Sequence, residues 1–326
     1  MTNKIIAVQG NNLSKLNPIT DTSIFLASRG EKLGYKIFYY DPQNLSIINN
    51  KVIAKGDYIK INYLKKRFYK IVKSEQLDLS KVKFILIRQD PPFNLEYIST
   101  TYILDMIKDK VKIINNPTAI RNMSEKLYSA KFSKHMPETL FTREFFEISK
   151  FFKKHKKIIL KPIHSYSGND IIFIKNKLNR NIVKNFIKKH GHIMCQKFLP
   201  KIKYGDKRVF IINGKICGAI SRVPKQGSIL SNMSKGAKPK LTKLTSKEKN
   251  ISNVIAKDLI KNDIYFAGID FIDQKLNGDI NVTSPTGLKT YFDLANIDLA
   301  KTFWKGFRAW KIWAISKKVH WWLLWL

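Results

Sequence analysis

The first 120 residues alternate between short apolar runs and helical stretches, and that alternation restricts the possible folds more than any other feature of the chain. Ile5 to Val8, Lys36 to Tyr40, Phe84 to Ile87 and Val111 to Ile114 read as buried strands. Asp21-Thr22-Ser23 can cap a helix running to Leu33, with Gly34 as its stop, and Tyr97 to Lys108 reads as a second helix. Such alternation predicts a mostly parallel sheet with helices on its faces. Ligands of these sheets sit at the carboxyl ends of the strands. Arg88-Gln89-Asp90-Pro91-Pro92-Phe93 lies there, with two prolines stiffening the loop, so Arg88 and Asp90 are candidates for substrate contact. A surface arginine beside a rigid turn is the competing reading.

Asn115-Asn116-Pro117 ends this domain, and Ser124-Glu125-Lys126 is expected to open a helix of the next, with the boundary near residue 122. Phe145 to Lys154 follows as a helix. The strand Ile158 to Ile163 then carries one lysine, Lys161. An ammonium group in an apolar strand is costly unless it meets an anion or snorkels to water, so Lys161 is either a phosphate ligand or a snorkelling side chain. The loop His164 to Asp170 offers hydroxyl and backbone N–H donors suited to phosphate oxygens, with His164 itself read as a surface histidine. Ile193 to Pro200 reads as a strand leading into a linker whose backbone can hydrogen-bond a base edge.

A hairpin turning at Asn213-Gly214 brings Arg208 and Arg222 together. Neighbouring guanidinium groups repel unless an anion lies between them, so these two either hold a carboxylate or phosphate or splay into water. Pro224 to Pro239 is a long polar loop of the kind that forms lids, and Thr245 to Lys261 is an amphipathic helix. A second hairpin spans Phe266 to Val282, with Asn277-Gly278 expected as its turn. Asp279 and Asn281 then share one face of a strand, and pairing brings Asp270 beside them. Two carboxylates and an amide oxygen suit a hard cation such as Mg2+ with its bound phosphates. The alternative is polar decoration of a solvated turn.

With 326 residues and 44% hydrophobic content, the chain can bury two or three cores. Its formal charge of +36 is mostly lysine scattered through every segment, so compositional bias is favoured and no specific nucleic-acid partner is expected. Cys195 and Cys217 form no CxxC spacing and read as reduced, buried thiols. The start Met1-Thr2-Asn3-Lys4 leads straight into a strand with no signal-like apolar region, and the expected location is cytoplasmic.

The order of segments resembles that of the bacterial glutathione synthetases, a branch of the ATP-grasp ligases. The likeness is carried by Arg88 to Phe93, Glu125-Lys126-Leu127, Ile159 to Pro162, Leu199-Pro200 with Gly205 to Arg208, Arg222-Val223-Pro224, and Ile280 to Gly287, in register from about residue 4 to residue 304. It implies an α/β fold: an N-terminal parallel-sheet pre-ATP-grasp domain over 1–122, then an ATP-grasp fold of two α+β subdomains over 123–304, with a lid at about 224–239. The implied reaction activates γ-glutamylcysteine as an acyl phosphate with ATP and joins it to glycine, using Mg2+, with Mn2+ as a substitute, and the family's homo-oligomeric assembly is expected with it.

Carried onto matching positions, the resemblance assigns Asp270, Asp279 and Asn281 to the metal and Lys126, Lys161, Ser167 and Gly168 to the phosphates. Gln196, Lys197, Phe198 and Leu199 would hold adenine and Asp206 the ribose. Arg208 and Arg222 would bind carboxylate and developing phosphate charge, Arg88 the peptide, and Ser284 and Thr286 the glycine or product.

Departures from the pattern are specific. Asp279 replaces a glutamate after a longer turn, Gly168 is the one glycine left in the phosphate loop, and Leu230 and Lys238 stand where the lid commonly has arginines. These leave two alternatives: a ligase for another amino-acid acceptor, or a non-catalytic protein that binds nucleotide, nucleic acid or membrane. Residues 305–326 form a Trp-rich basic tail without counterpart, too short and charged to span a bilayer; the tail is read as a helix extension or a frameshift product ahead of an interfacial segment.

Overall fold

The computed structural model describes residues 4–63 and 67–307. The first domain contains β1 (Ile5–Gln9), α1 (Thr22–Lys32), β2 (Lys36–Tyr40), β3 (Leu45–Ile48), β4 (Lys51–Ile61), β5 (Tyr69–Asp78), β6 (Phe84–Ile87), α2 (Leu95–Asp105), β7 (Lys112–Ile114) and α3 (Pro117–Asn122). Strands β2, β1, β6 and β7 pair in parallel, as the alternation predicts. Asp21 caps α1, accepting a hydrogen bond from the Ile24 N–H at 2.7 Å.

Beyond β2 the sheet continues through the antiparallel strands β3, β4 and β5, which the sequence reading did not resolve. Their apolar residues are interrupted by lysines, and β5 is mostly exposed, so the density of a buried run is lacking. The turn from β3 to β4 uses Asn49 and Asn50, at φ 48° and 60°.

The second half contains β8 (Thr139–Thr142), α4 (Phe145–His155), β9 (Ile158–Pro162), β10 (Ile172–Ile174), α5 (Arg180–His190) and β11 (Ile193–Lys197), with an antiparallel sheet in the order β10-β9-β11-β8. Then come β12 (Asp206–Ile212), β13 (Lys215–Val223), β14 (Lys238–Leu241), α6 (Ser246–Lys261), β15 (Phe266–Ile272), β16 (Lys275–Asn281) and α7 (Leu288–Ala295), with a sheet in the order β14-β13-β12-β15-β16. Thr245 and Glu248 close a reciprocal capping box at the start of α6.

Three expectations need correction. Ser124 to Lys126 forms a turn, and the helix that follows is a 3-10 segment over Tyr128–His135. Asn277-Gly278 is not the turn of the second hairpin; that turn is Asp273-Gln274, at φ 49° and 60°, and both Asn277 and Gly278 lie inside β16. Gly278 takes φ 85° there because a Cβ would stand 2.7 Å from the Met194 Cε. Cys195 is buried, but Cys217 is only half-buried. The tail beyond residue 307 lies outside the described residues.

The two halves share a core. Ile6, Val8 and Phe84 of the first sheet pack in one cluster with Phe210, Tyr265, Leu288 and Trp304. The Trp304 indole N–H donates to the Leu26 carbonyl at 3.0 Å, tying the segment after α7 onto α1. Asn115 is 3% exposed and bridges the halves with four bonds. Its amide donates to the Phe266 and Val282 carbonyls at 2.8 and 2.7 Å, and its oxygen accepts from the Tyr265 and Phe266 N–H groups, each at 2.9 Å. Asn115→Ala leaves these backbone groups unsatisfied, and the expected loss is roughly 2–4 kcal/mol of stability. Urea unfolding measures it; a midpoint equal to wild type would show that the bridge contributes nothing.

Candidate active site

A cleft of ≈ 880 Å³ lies between the two antiparallel sheets and the lid. β9 contributes Lys161; β11 and the segment after it contribute Gln196, Lys197, Phe198 and Leu199; β12 and β13 contribute Asp206, Arg208 and Arg222. β15 and β16 supply Asp270, Asp279 and Asn281, the turn after α3 supplies Lys126, and the loop after β9 supplies Ser167 and Gly168. Residues expected to hold nucleotide, phosphate and metal are thus brought together. Ser284 and Thr286 line a second cleft, of ≈ 1440 Å³, which shares Ser167, Arg208, Arg222 and Asn281 with the first.

Arg88 lines neither cleft. It is 5% exposed and spends its donors on the Ser23 hydroxyl at 3.1 Å and the Pro285 carbonyl at 2.9 Å. Its own carbonyl accepts from the Ser284 hydroxyl at 3.2 Å. Arg88 therefore ties the Ser284 to Thr286 loop to the first domain.

Strand register sets the electrostatics. Arg208 lies across from Asp270, and Asp206 across from Arg222. Arg208 makes a two-pronged pair with Asp270, its Nη2 donating to Oδ2 at 2.8 Å, while the Arg222 Nη2 reaches the same Oδ2 at 2.9 Å. Arg222 also grips Asp206, its Nε donating to Oδ1 at 2.8 Å, and the lid's Ser231 hydroxyl donates to the other Asp206 oxygen at 2.6 Å. The anion that the paired arginines require is thus a side chain of the protein itself. Burial raises the Asp270 carboxyl pKa, but Arg208 and Arg222 outweigh it and hold the group well below the usual carboxylate range.

Lys161 does not snorkel. It is 4% exposed, and its ammonium donates to the Gln196 side chain at 3.1 Å and to the Asn277 carbonyl and side-chain oxygen at 2.8 and 3.1 Å. Burial lowers its pKa against the pull of Asp279. Asp279 lies between two lysines, 3.5 Å from the Lys126 Nζ and 3.8 Å from the Lys161 Nζ. Gly168, at φ 70°, comes so close to the lid that a Cβ would stand 2.7 Å from the Asn232 Oδ1.

The donor set fits a hard cation. Asp279 has no short ion pair, and Asn281 uses its amide N–H on the Gly268 carbonyl at 3.2 Å, which leaves the amide oxygen unspent. Among the described residues no three His, Cys, Asp or Glu side chains form a metal cluster, so phosphate and water would have to complete the shell, as Mg2+ ordinarily requires.

Glu125 is a site residue that sequence reasoning missed. Its Oε1 accepts from the Val282 and Thr283 N–H groups at 3.1 and 3.3 Å and from the Thr283 hydroxyl at 2.7 Å, and its side chain lines both clefts. Burial raises its pKa above the ordinary value. Its place in the Glu125-Lys126-Leu127 segment, which carries part of the family resemblance, is the signal that could have pointed to it.

The architecture is that of the ATP-grasp ligases. Over 93% of this chain it overlays the solved D-cycloserine synthetase DcsG with a TM-score of 0.66 at 10% identity, covering 98% of that chain. It overlays 87% of this chain on 90% of D-alanyl-alanine synthetase A from Vibrio cholerae with a TM-score of 0.54 at 14% identity. The family descriptions of the prokaryotic glutathione synthetase N-terminal and ATP-grasp domains match residues 5–121 and 125–295. Glutathione synthetase of Agrobacterium fabrum is 33% identical over 92% of this chain and 95% of its own length, and that of Escherichia coli O6:H1 is 33% identical over 85% and 89%. The chain belongs to the prokaryotic glutathione synthetase family.

The shared position of Asp270 yields a prediction that differs from simple loss of a metal ligand. Asp270→Asn leaves two buried guanidinium groups undercompensated and is expected to cost roughly 3–5 kcal/mol of stability as well as activity. Asp279→Asn, whose lysine partners lie 3.5 and 3.8 Å away, is expected to cost less than Asp270→Asn. The Asp270 carboxyl titrates lower in the folded than in the unfolded protein, so its contribution is complete above about pH 4 and is lost as the pH falls. Urea unfolding at pH 7 and near pH 3 measures both: the gap between wild type and Asp270→Asn should narrow in acid.

Proposed function

We propose that this chain is an ATP-dependent ligase that joins γ-glutamylcysteine to glycine, forming glutathione through an acyl phosphate. One observation carries the reading: two clefts share Arg208, Arg222 and Asn281, where a terminal phosphate and a carboxylate must come together. A carboxylate oxygen of the cysteinyl residue attacks the γ-phosphorus and ADP departs. The glycine amine then adds to the acyl carbon, phosphate leaves with the former carboxylate oxygen, and the amine surrenders its protons to solvent and phosphate.

In this reading Lys126 and Lys161 meet the phosphate oxygens, and the backbone of Lys197 to Leu199 receives adenine beside Gln196. Asp206 meets the ribose once its hold on the lid's Ser231 is exchanged. Ser167 and Gly168 lie where a hydroxyl and an N–H can face the transferring group. Asp270, Asp279 and Asn281 are the residues that would hold Mg2+, which when bound neutralises charge on the phosphates. Arg208 and Arg222 supply buried positive charge at the point of transfer. Ser284 and Thr286 present hydroxyls to glycine from a loop that Arg88 holds in place.

Among the described residues no helix is long and apolar enough to cross a membrane. A cytoplasmic homo-oligomer acting on these small molecules is the setting proposed for it, with Mn2+ able to replace Mg2+.

Purified protein given ATP, Mg2+, γ-glutamylcysteine and glycine is expected to release ADP and phosphate together with a tripeptide thiol. ADP release indifferent to γ-glutamylcysteine would defeat the assignment, and tripeptide formed faster with another amino acid would move it to a different acceptor. Lys161→Met should raise the KM for ATP at least about tenfold, the size expected for loss of a charged hydrogen bond.

A further inference from the structure

Beside the Glu125 and Tyr166 edge that the two clefts share, a third and much smaller recess opens, ≈ 310 Å³ including its mouth. Its walls come from three separate parts of the chain: Phe93 from the loop after β6, Met123 from the segment after α3, and Ile163 with His164 from the loop after β9. The Phe93 ring stacks on His164 with centroids 6.5 Å apart and planes at 22°, and its other neighbour is Tyr97, at 5.2 Å. This is the structural use of the rigid Asp-Pro-Pro-Phe loop, which the roles assigned above leave unexplained. Glu125 and Tyr166 stand at the mouth and also line both larger clefts, and Thr283 is shared with the substrate cleft.

The chemistry of activation decides what lies at that mouth. A carboxylate that receives a phosphoryl group must sit where the nucleotide and substrate clefts join. The substituent on its α-carbon is only two bonds from the carboxyl carbon, so it too must fall at the junction. A small recess opens beside that junction, with apolar walls from Phe93, Met123 and Ile163 and polar ones that include Ser124, Ser165 and Thr283; it favours a compact side chain that an aromatic edge can contact, and a thiol's polarisable sulfur is such a group.

We infer that this recess receives the side chain next to the activated carboxylate and selects it by size, with Phe93 and Ile163 as two of its walls. In the reaction proposed above, on which the inference rests, the occupant is the cysteinyl CH2–SH group. The recess is therefore the specificity pocket for the middle residue of the tripeptide, and neither the lid nor the nucleotide contacts set that choice.

The test compares γ-glutamyl dipeptides that differ only in the second side chain. Wild type should use γ-glutamyl-2-aminobutyrate, the isostere of the cysteine dipeptide, within about tenfold of γ-glutamylcysteine, and γ-glutamylleucine at least about 100-fold less well, the discrimination a small apolar pocket achieves. Phe93→Ala, and separately Ile163→Ala, should raise the leucine-to-cysteine ratio of kcat/KM at least about tenfold, with the KM values for ATP and glycine unchanged. A ratio taken within one enzyme preparation cancels any loss of folded protein, so a destabilised variant still gives an answer. Ratios within twofold of wild type in both variants would overturn the pocket while leaving the ligase intact. A wild type that turns over γ-glutamylleucine as well as γ-glutamylcysteine would overturn it too. A wild type that makes no tripeptide from any of these dipeptides removes the proposed reaction, and the inference falls with it.

Discussion

Four buried charges, alternating in sign, organise the second half of the molecule. Asp206, Arg222, Asp270 and Arg208 are each no more than 5% exposed, and each would cost several kcal/mol to bury alone. They are affordable together because β12 lies between β13 and β15, and the antiparallel register sets every carboxylate opposite or beside a guanidinium. A shift of one residue in either pairing would turn these side chains to the other face of the sheet and strand them unpaired. The chain of charges therefore locks the register and places two paired guanidinium groups in the wall of the cleft.

The bulge opposite this network has a comparable effect. Gly268 pairs with Asn281 and Phe271 with Leu276, so Asn277, Gly278 and Asp279 stand against Asp270. The extra chain offers the Asn277 oxygens to Lys161 and places Asp279 between Lys161 and Lys126. Three further contacts hold the segment that follows: the Asn115 amide, the Glu125 carboxylate and the Arg88 guanidinium each bond the backbone between Val282 and Pro285. The Val282 to Pro285 segment is thus anchored to the first domain and to the turn after α3, which holds the neighbouring Ser284 and Thr286 in place.

Much of this was legible in the chain. The parallel strands β1, β2, β6 and β7 announce themselves because a strand buried on both faces must be apolar throughout. β3 to β5 do not, because they extend the sheet towards solvent, β3 is only four residues long, and β4 and β5 are interrupted by lysines. Asn277-Gly278 misled because the positive φ of Gly278 falls at an irregularity inside β16, and the same dipeptide ordinarily serves a tight turn. Arg88 was singled out correctly as unusual, but which way a buried guanidinium turns depends on Ser23 and Pro285, and Pro285 lies 197 residues further on.

By itself, the sequence determined the alternation of strands and helices, the caps of α1 and α6, and the set of oxygen and cationic side chains available for phosphate chemistry, because propensity, capping and residue chemistry are local. Which of those side chains meet was decided by tertiary structure alone. The Asp270 oxygens, the Lys161 ammonium and the Glu125 carboxylate all found their partners across strand pairings and domain contacts. A buried charge takes whatever counter-charge the fold brings within reach, and local sequence carries no record of that distance.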